Sequence, residues 1–291
     1  MVKEGWDIVV TYYQDEAGVN HDWVPYSVMK GKALIDSSSS FSYAKAEGVI
    51  GRKDFSVRLM RKNGSTLSPW HDIPLQPALA AKTSFAAETS SFYNMVVEIP
   101  ASTTAKIELS KGESGNPFKQ DVSSSGAMRY FTYGAPFFNY GLFPQTWEDS
   151  EEMNESGFKG DNDPLDVVEI GGDFGENSLA VGQVIPVKVL GAFELIDEGE
   201  VDFKIIVIRS NHADATQINS MDDLERAQPG VTARLVHWFK FYKTAEGKGV
   251  NQMTSEIPSS PSDALKIIRK THEAYLNLFK NKERMKTLNL Q

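Results

Sequence analysis

Residues 181–208 read VGQVIPVKVLGAFELIDEGEVDFKIIVI. Two runs rich in Val, Ile, Leu and Phe, at 181–195 and 201–208, flank an acidic turn, and such side chains fit a pleated, half-buried surface. The stretch therefore reads as two successive strands joined around Asp197, Glu198, Gly199 and Glu200. Outward from it, strands are expected at 92–99, 105–109, 129–133 and 165–170, each bounded by Gly, Pro, Asn or Asp. Residues 55–61 are apolar and run into Asn63-Gly64, a pair that tolerates positive φ, which predicts a strand entering a hairpin turn. Further upstream only 7–13 reads as a strand, and the chain then passes through a poorly periodic stretch with a serine run at 37–40.

Helices come late. After Pro229 the positions Val231, Leu235, Trp238, Phe239 and Tyr242 recur at helical spacing, and Ser260-Pro261 caps a second stripe of Leu265, Ile268, Tyr275, Leu276 and Phe279. No repeat or heptad run interrupts this order. The expected fold is mainly β with peripheral α: a small closed or nearly closed barrel flanked by helices. The expected organisation is a catalytic domain at 54–291 and an N-terminal extension at 1–53.

The 291 residues suffice for one large domain, and the charge of -9 gives no basic field to attract nucleic acid or acidic lipid. No apolar run approaches the ~18 residues that suggest a membrane span. The absence of cysteine excludes disulfides, thiolate zinc sites and cysteine nucleophiles, so any metal must sit on oxygen or imidazole. His21, His71, His212, His237 and His272 show no close ligand spacing, which leaves oxygen. Glu4, Asp7, Asp15, Glu16 and Asp22 are unlike an acid-poor transit peptide. The expected compartment is the cytoplasm, or the plastid if a leader has been removed.

Acids concentrate in two places. The segment DNDPLDV (161–167) would put Asp161 and Asp163 on one face of an extended chain and Asp166 on the other, but a bend at Pro164 lets all three converge. Converging carboxylates raise one another's pKa unless a divalent cation compensates, and hard oxygen ligands favour Mg²⁺, Mn²⁺ or Ca²⁺. The same triple also fits a solvated acidic turn. An EF-hand fails on register, since the sixth position from Asp161 is Asp166 where Gly is required and the twelfth is Gly172 where Glu is required. The second cluster, Asp197, Glu198, Glu200 and Asp202 followed by Lys204, would alone suit a surface hairpin. Together the two clusters make a site for several Mg²⁺ ions plausible chemistry.

The chain resembles the family I soluble inorganic pyrophosphatases of eukaryotic type. DNDPLDV carries the resemblance together with NMVVEIP (94–100), AKIE (105–108), NYGLFPQTWED (139–149), IDEGEVDFK (196–204), FYK (241–243) and SPWHDIPL (68–75). The form around Asn139 is nearest to plastid-type members. The resemblance runs from about residue 54 to 279 and implies a five-stranded OB-type barrel. It implies that Asp161, Asp166, Asp197 and Asp202 hold magnesium, with Glu108 reaching a metal through water and Mn²⁺ as a possible substitute. Asp163 matches the general base. Lys106, Arg129, Tyr140, Lys204, Tyr242 and Lys243 match groups that hold the two phosphoryl units, and Glu98 and Glu148 match supporting acids. One departure lies at Pro136, four residues before Tyr140, where many members carry a tyrosine.

The implied activity is Mg²⁺-dependent hydrolysis of pyrophosphate to two orthophosphates by a metal-activated water, in a homodimer or monomer. Two other readings are a broader phosphoanhydride hydrolase acting on polyphosphate or nucleotides, and a metal-binding scaffold without turnover. Read singly, Tyr242 would be a core residue, Lys106 and Glu108 a solvated strand face, and Arg129 a surface ion-pair partner.

Overall fold

Backbone hydrogen bonds must be satisfied somewhere, and here five strands satisfy theirs by closing into a ring. The computed structural model describes residues 6–14, 20–29, 41–61, 63–77, 92–171 and 178–290. The barrel strands, numbered in chain order, are β1 (Phe92–Ile99), β2 (Asn139–Leu142), β3 (Asp166–Glu169), β4 (Val184–Asp197) and β5 (Glu200–Arg209). β1 pairs with β2, β2 with β3, β3 with β5, β5 with β4, and β4 returns to β1. Only β3 and β5 run parallel. This is the expected OB-type barrel.

The long strand β4 serves two neighbours because its register shifts between Val189 and Gly191 against β5, a bulge that bends it from β1 toward β5. Alternation then divides the core. Met95 and Val97 of β1, Val167 of β3 and Ile205 and Val207 of β5 pack in one cluster with Ala264 and Ile268, whereas Val96, Val168, Ile206 and Ile208 join Phe55, Phe118, Phe193, Leu235 and Phe239 in the other. The helices cover these clusters: α1 (Met221–Ala227), α2 (Val231–Phe241), α3 (Pro261–Lys280) and α4 (Lys282–Thr287). Ser260 caps α3, its hydroxyl accepting from the Asp263 N–H at 3.2 Å with Pro261 in the first turn, as the sequence predicts. The five-turn α3 then buries Ala264, Ile268, Thr271, Tyr275 and Leu278. No described helix is long and apolar enough to cross a membrane.

A smaller sheet stands beside the barrel, with strands Phe41–Glu47, Ser56–Arg61, Phe118–Gln120 and Ile107–Leu109 in that order and Thr66–Leu67 paired to Ser56–Arg61. The Asn63-Gly64 turn is as expected, with Gly64 at φ 84°. Trp6–Gln14 pairs antiparallel with Asn20–Met29, a strand whose Pro25 weakens its pattern in the sequence. Phe41–Glu47 lies inside the segment read as an extension, yet it is laced to Ser56–Arg61 and sends Ala44 and Ala46 against the core. The serine run at 37–40 lies outside the described residues.

One strand expectation is corrected. Residues 129–133 form no strand: Tyr130 makes a single bridge to Ala105, while the Arg129 N–H bonds Asp121 O at 2.8 Å and the Phe131 N–H bonds Thr104 O at 2.7 Å. The segment divides its bonds between two neighbours and so forms no continuous ladder.

Gly141 ties the fold to the site. A Cβ there would come within 2.0 Å of Val96 O and 3.0 Å of Val97 Cα, all backbone of β1. Gly141→Ala must push β2, and Tyr140 with it, away from β1, and is expected to cost about 3 kcal/mol of stability, the upper range for overpacking. Urea unfolding checks this as a fall in midpoint at constant slope, and an unchanged midpoint would contradict the packing.

Candidate active site

Strand register brings the acids together. Asp166 of β3 is paired with Lys204 of β5, and Asp202 lies two residues before Lys204 on the same face. The Lys204 ammonium consequently bonds Asp166 Oδ2, Asp202 Oδ1 and, at 2.8 Å, Tyr140 Oη, while Tyr140 donates its own proton to Asp166 Oδ2. Asp197 closes β4 opposite Glu200, across a two-residue turn in which Glu198 and Gly199 take φ 52° and 94°. Such left-handed pairs match the twist of the flanking strands. Lys243, in the 3₁₀ turn that follows α2, pairs with Asp197.

The bend expected at Pro164 begins earlier. Asn162 adopts φ 69°, and the Asp163 N–H donates to Asp161 Oδ1 at 2.9 Å, so an Asx turn folds Asp161 and Asp163 toward β3. Trp147 Nε1 holds Asn162 Oδ1 at 3.0 Å, and the Glu148 backbone clasps Asn162 and Asp163. Glu148 itself is buried and lies with Asp161 and Asp202 so that one carboxylate oxygen of each is within 4.8 Å of the others.

A cavity of about 440 Å³ opens above these strands. Apart from Glu148, every residue that the resemblance assigns lines it: Glu98, Lys106, Glu108, Arg129, Tyr140, Asp161, Asp163, Asp166, Asp197, Asp202, Lys204, Tyr242 and Lys243. Tyr242 lies flat on Trp238, ring centres 4.6 Å apart and planes 4° from parallel, one helical turn earlier. His237 of α2 and His272 of α3 are bonded to Tyr133 Oη at 2.7 Å and Gln145 O at 2.6 Å. Arg129 is an ion-pair partner, but inside the cavity: its guanidinium spans Asp121 at 2.7 Å and Glu246 at 2.8 Å. Asp121, Lys111 and Lys248 also line the cavity and carry no mark in the sequence patterns above.

Crowding sets the electrostatics. Burial, reinforced by Asp163 and Asp202, holds the Asp161 carboxyl well above the usual range. Glu148 is raised by burial and then by Asp161 and Asp202, and Glu98 by burial and then by Asp166 and Glu108. Burial pushes Asp202 up to about 7 even against Lys204. Lys204 is buried too, which opposes its charge, but Asp166 and Asp202 outweigh this and keep it firmly protonated. Acids outnumber lysines and arginine around the cavity, so the bases present leave negative charge uncompensated. Buried Glu148 Oε2 and Asp197 Oδ1 also have no hydrogen-bond partner among the described residues, so the site fits a divalent cation in donor chemistry, burial and charge.

This predicts a linkage. A carboxyl at about 7 in the folded chain and about 4 in the unfolded one stabilises the fold fully below about pH 4 and loses that contribution as pH rises through about 7. With chelator present, the melting temperature is expected to fall between pH 5 and pH 8. Millimolar divalent cation should raise it more at pH 8 than at pH 5. Scanning calorimetry checks this, and an equal cation effect at both pH values would contradict it.

Acids that call for a divalent cation, facing lysines and an arginine suited to phosphate oxygens, define the class of a metal-dependent phosphohydrolase on an OB-type barrel. Comparison with known proteins agrees. The inorganic pyrophosphatase family model matches residues 95–276. Soluble inorganic pyrophosphatase 6, chloroplastic, of Arabidopsis thaliana is 36% identical over 259 residues, covering 87% of this chain and 81% of that protein. An inorganic pyrophosphatase of Eremothecium gossypii is 43% identical over 242 residues, with 80% and 79% covered. The crystal structure of the type I inorganic pyrophosphatase from Toxoplasma gondii matches with a TM-score of 0.74 at 41% identity, over 81% of this chain and 99% of that one. The chain belongs to the inorganic pyrophosphatase family.

Proposed function

We propose that this chain hydrolyses inorganic pyrophosphate to two orthophosphates with Mg²⁺ as its divalent cation. The observation that carries the reading is the meeting, in one cavity, of Asp161, Asp166, Asp197 and Asp202 with Lys106, Arg129, Lys204 and Lys243. Asp161, Asp166, Asp197 and Asp202 would hold Mg²⁺, with Glu108 reaching it through water and Glu98 and Glu148 supporting. Bound there, Mg²⁺ supplies charge that neutralises the substrate and makes water a better nucleophile near neutral pH.

The protein groups divide the remaining work. Asp163 lines the cavity and accepts a proton from the attacking water at its carboxylate. Arg129 and Lys243 meet the charge that grows on the leaving phosphate, and Tyr242, held by its stack on Trp238, donates a hydrogen bond to the same group. Burial is the main cause that keeps the Tyr242 hydroxyl protonated and able to donate. Lys106 and Lys204 counter charge on the other phosphoryl oxygens, and Tyr140 orients Asp166 and Lys204.

Monomer or homodimer, cytoplasm or plastid, and a catalytic domain at 54–291 with an accessory 1–53 complete the proposal. The pairing of Phe41–Glu47 with Ser56–Arg61 favours counting 41–53 with the catalytic domain. Arg129→Ala and Lys243→Ala are each expected to lower kcat by about 10²-fold, the scale for losing one charge-stabilising donor, and to weaken inhibition by phosphate. Steady-state kinetics with added phosphate provide the test. Unchanged phosphate inhibition in both variants would show that neither side chain meets the product.

A further inference from the structure

The turn that carries Asp161 and Asp163 has its backbone fixed several times over. Glu148 N–H donates to Asp163 O at 2.9 Å, Asn162 N–H to Glu148 O at 3.1 Å, and Trp147 Nε1 to Asn162 Oδ1 at 3.0 Å. None of these bonds touches the Asp163 carboxylate. Among the described residues one side chain pairs with it: Lys111, whose ammonium lies 2.5 Å from Asp163 Oδ1 and donates to Asn162 O at 2.9 Å.

Lys111 comes from another part of the fold, the turn that follows the small-sheet strand Ile107–Leu109. That turn is braced. Ser110 N–H bonds Pro117 O at 2.8 Å, and the fully buried Asn116 donates to Lys111 O at 3.1 Å. Gly112 sits so near the C-terminal segment that a Cβ would lie 2.5 Å from Asn289 Nδ2, next to the buried Leu290. A lysine on a mobile turn would lose much side-chain freedom on pairing, and a braced backbone reduces what remains to be ordered.

We propose that Lys111 is a positioning residue for the reaction. By occupying Oδ1 and the preceding carbonyl it fixes the rotation of the Asp163 carboxylate and leaves Oδ2 to receive the proton of the attacking water. Lys111 thus makes the small sheet and the C-terminal brace contributors to the geometry of the base. The inference rests on the assignment of Asp163 as the base.

Lys111→Met keeps the aliphatic stem and removes the charge. It is expected to lower kcat about 10-fold with little change in KM, because misplacing a reacting group by a fraction of an ångström already costs rate. Lys111→Arg, which can still reach both oxygens, should recover most of the loss. In an Asp163→Asn background, Lys111→Met should cost nothing further, since it acts through the carboxylate that is gone. A kcat equal to wild type in Lys111→Met, a rise in KM alone, or losses that multiply in the double variant would overturn the role of Lys111. Failure of Lys111→Arg to recover any of the lost rate would do the same. Should Asp163→Asn alone leave kcat intact, it is the base assignment that falls.

Discussion

Excess EDTA should bring phosphate release from pyrophosphate down to the assay background, and Mg²⁺ added beyond the chelator should restore it. Asp161, Asp163, Asp166, Asp197 and Asp202, with Glu98 and Glu108, line the same cavity. Without divalent cations these carboxylates repel a polyanion. Lys106, Lys204 and Lys243 cannot offset them alone, because each is already paired with an acid: Glu108 and Asp121, Asp166 and Asp202, and Asp197 respectively. The chelated protein should therefore lose both substrate binding and turnover. Ca²⁺, larger and less exacting in geometry, should occupy the site but restore little rate. Full activity in EDTA would remove the basis for the proposed mechanism.

Asp163→Asn should lower kcat by about 10²-fold or more, the scale on which a positioned general base contributes. The substitution preserves shape, and the turn does not depend on the acid. The Asp163 N–H still donates to Asp161 Oδ1, and its carbonyl still accepts from Glu148. Melting temperature and metal binding should accordingly stay near wild type while proton transfer fails. Single-turnover measurements locate the loss in the chemical step. An unchanged rate would assign the base elsewhere, and a collapse in stability would show that the carboxylate serves the fold.

The parts of this architecture visible in the sequence are those with local pattern. The apolar runs of 181–208 mark β4 and β5 because both faces are covered, by Phe239 on one side and Ile268 on the other. Ser260-Pro261 marks the start of α3 because capping is a local hydrogen bond. β2 escapes notice as a strand: Asn139–Leu142 has four residues, one of them Gly141, and it is a strand only because β1 and β3 flank it. The helices α1 and α4 are too short for periodicity to stand out. Arg129 is legible through resemblance, but its bond to Glu246 is not, since that depends on a turn more than a hundred residues downstream. Lys111 follows the same rule. A lone lysine in the run SKGES has no pattern of its own, and its partner is chosen by the meeting of two sheets.

The most direct measurement is phosphate release by the purified chain in excess Mg²⁺, with pyrophosphate, tripolyphosphate and ATP compared at equal concentration. The account predicts two phosphates formed for each pyrophosphate consumed, at a rate well above that with either longer substrate. Lys106 and Arg129 meet on Asp121 while Lys204 pairs with Asp166 and Lys243 with Asp197, and all four line the one cavity. Equal rates on all three substrates would mark a broader phosphoanhydride hydrolase, and no phosphate from pyrophosphate in Mg²⁺ would contradict the central claim.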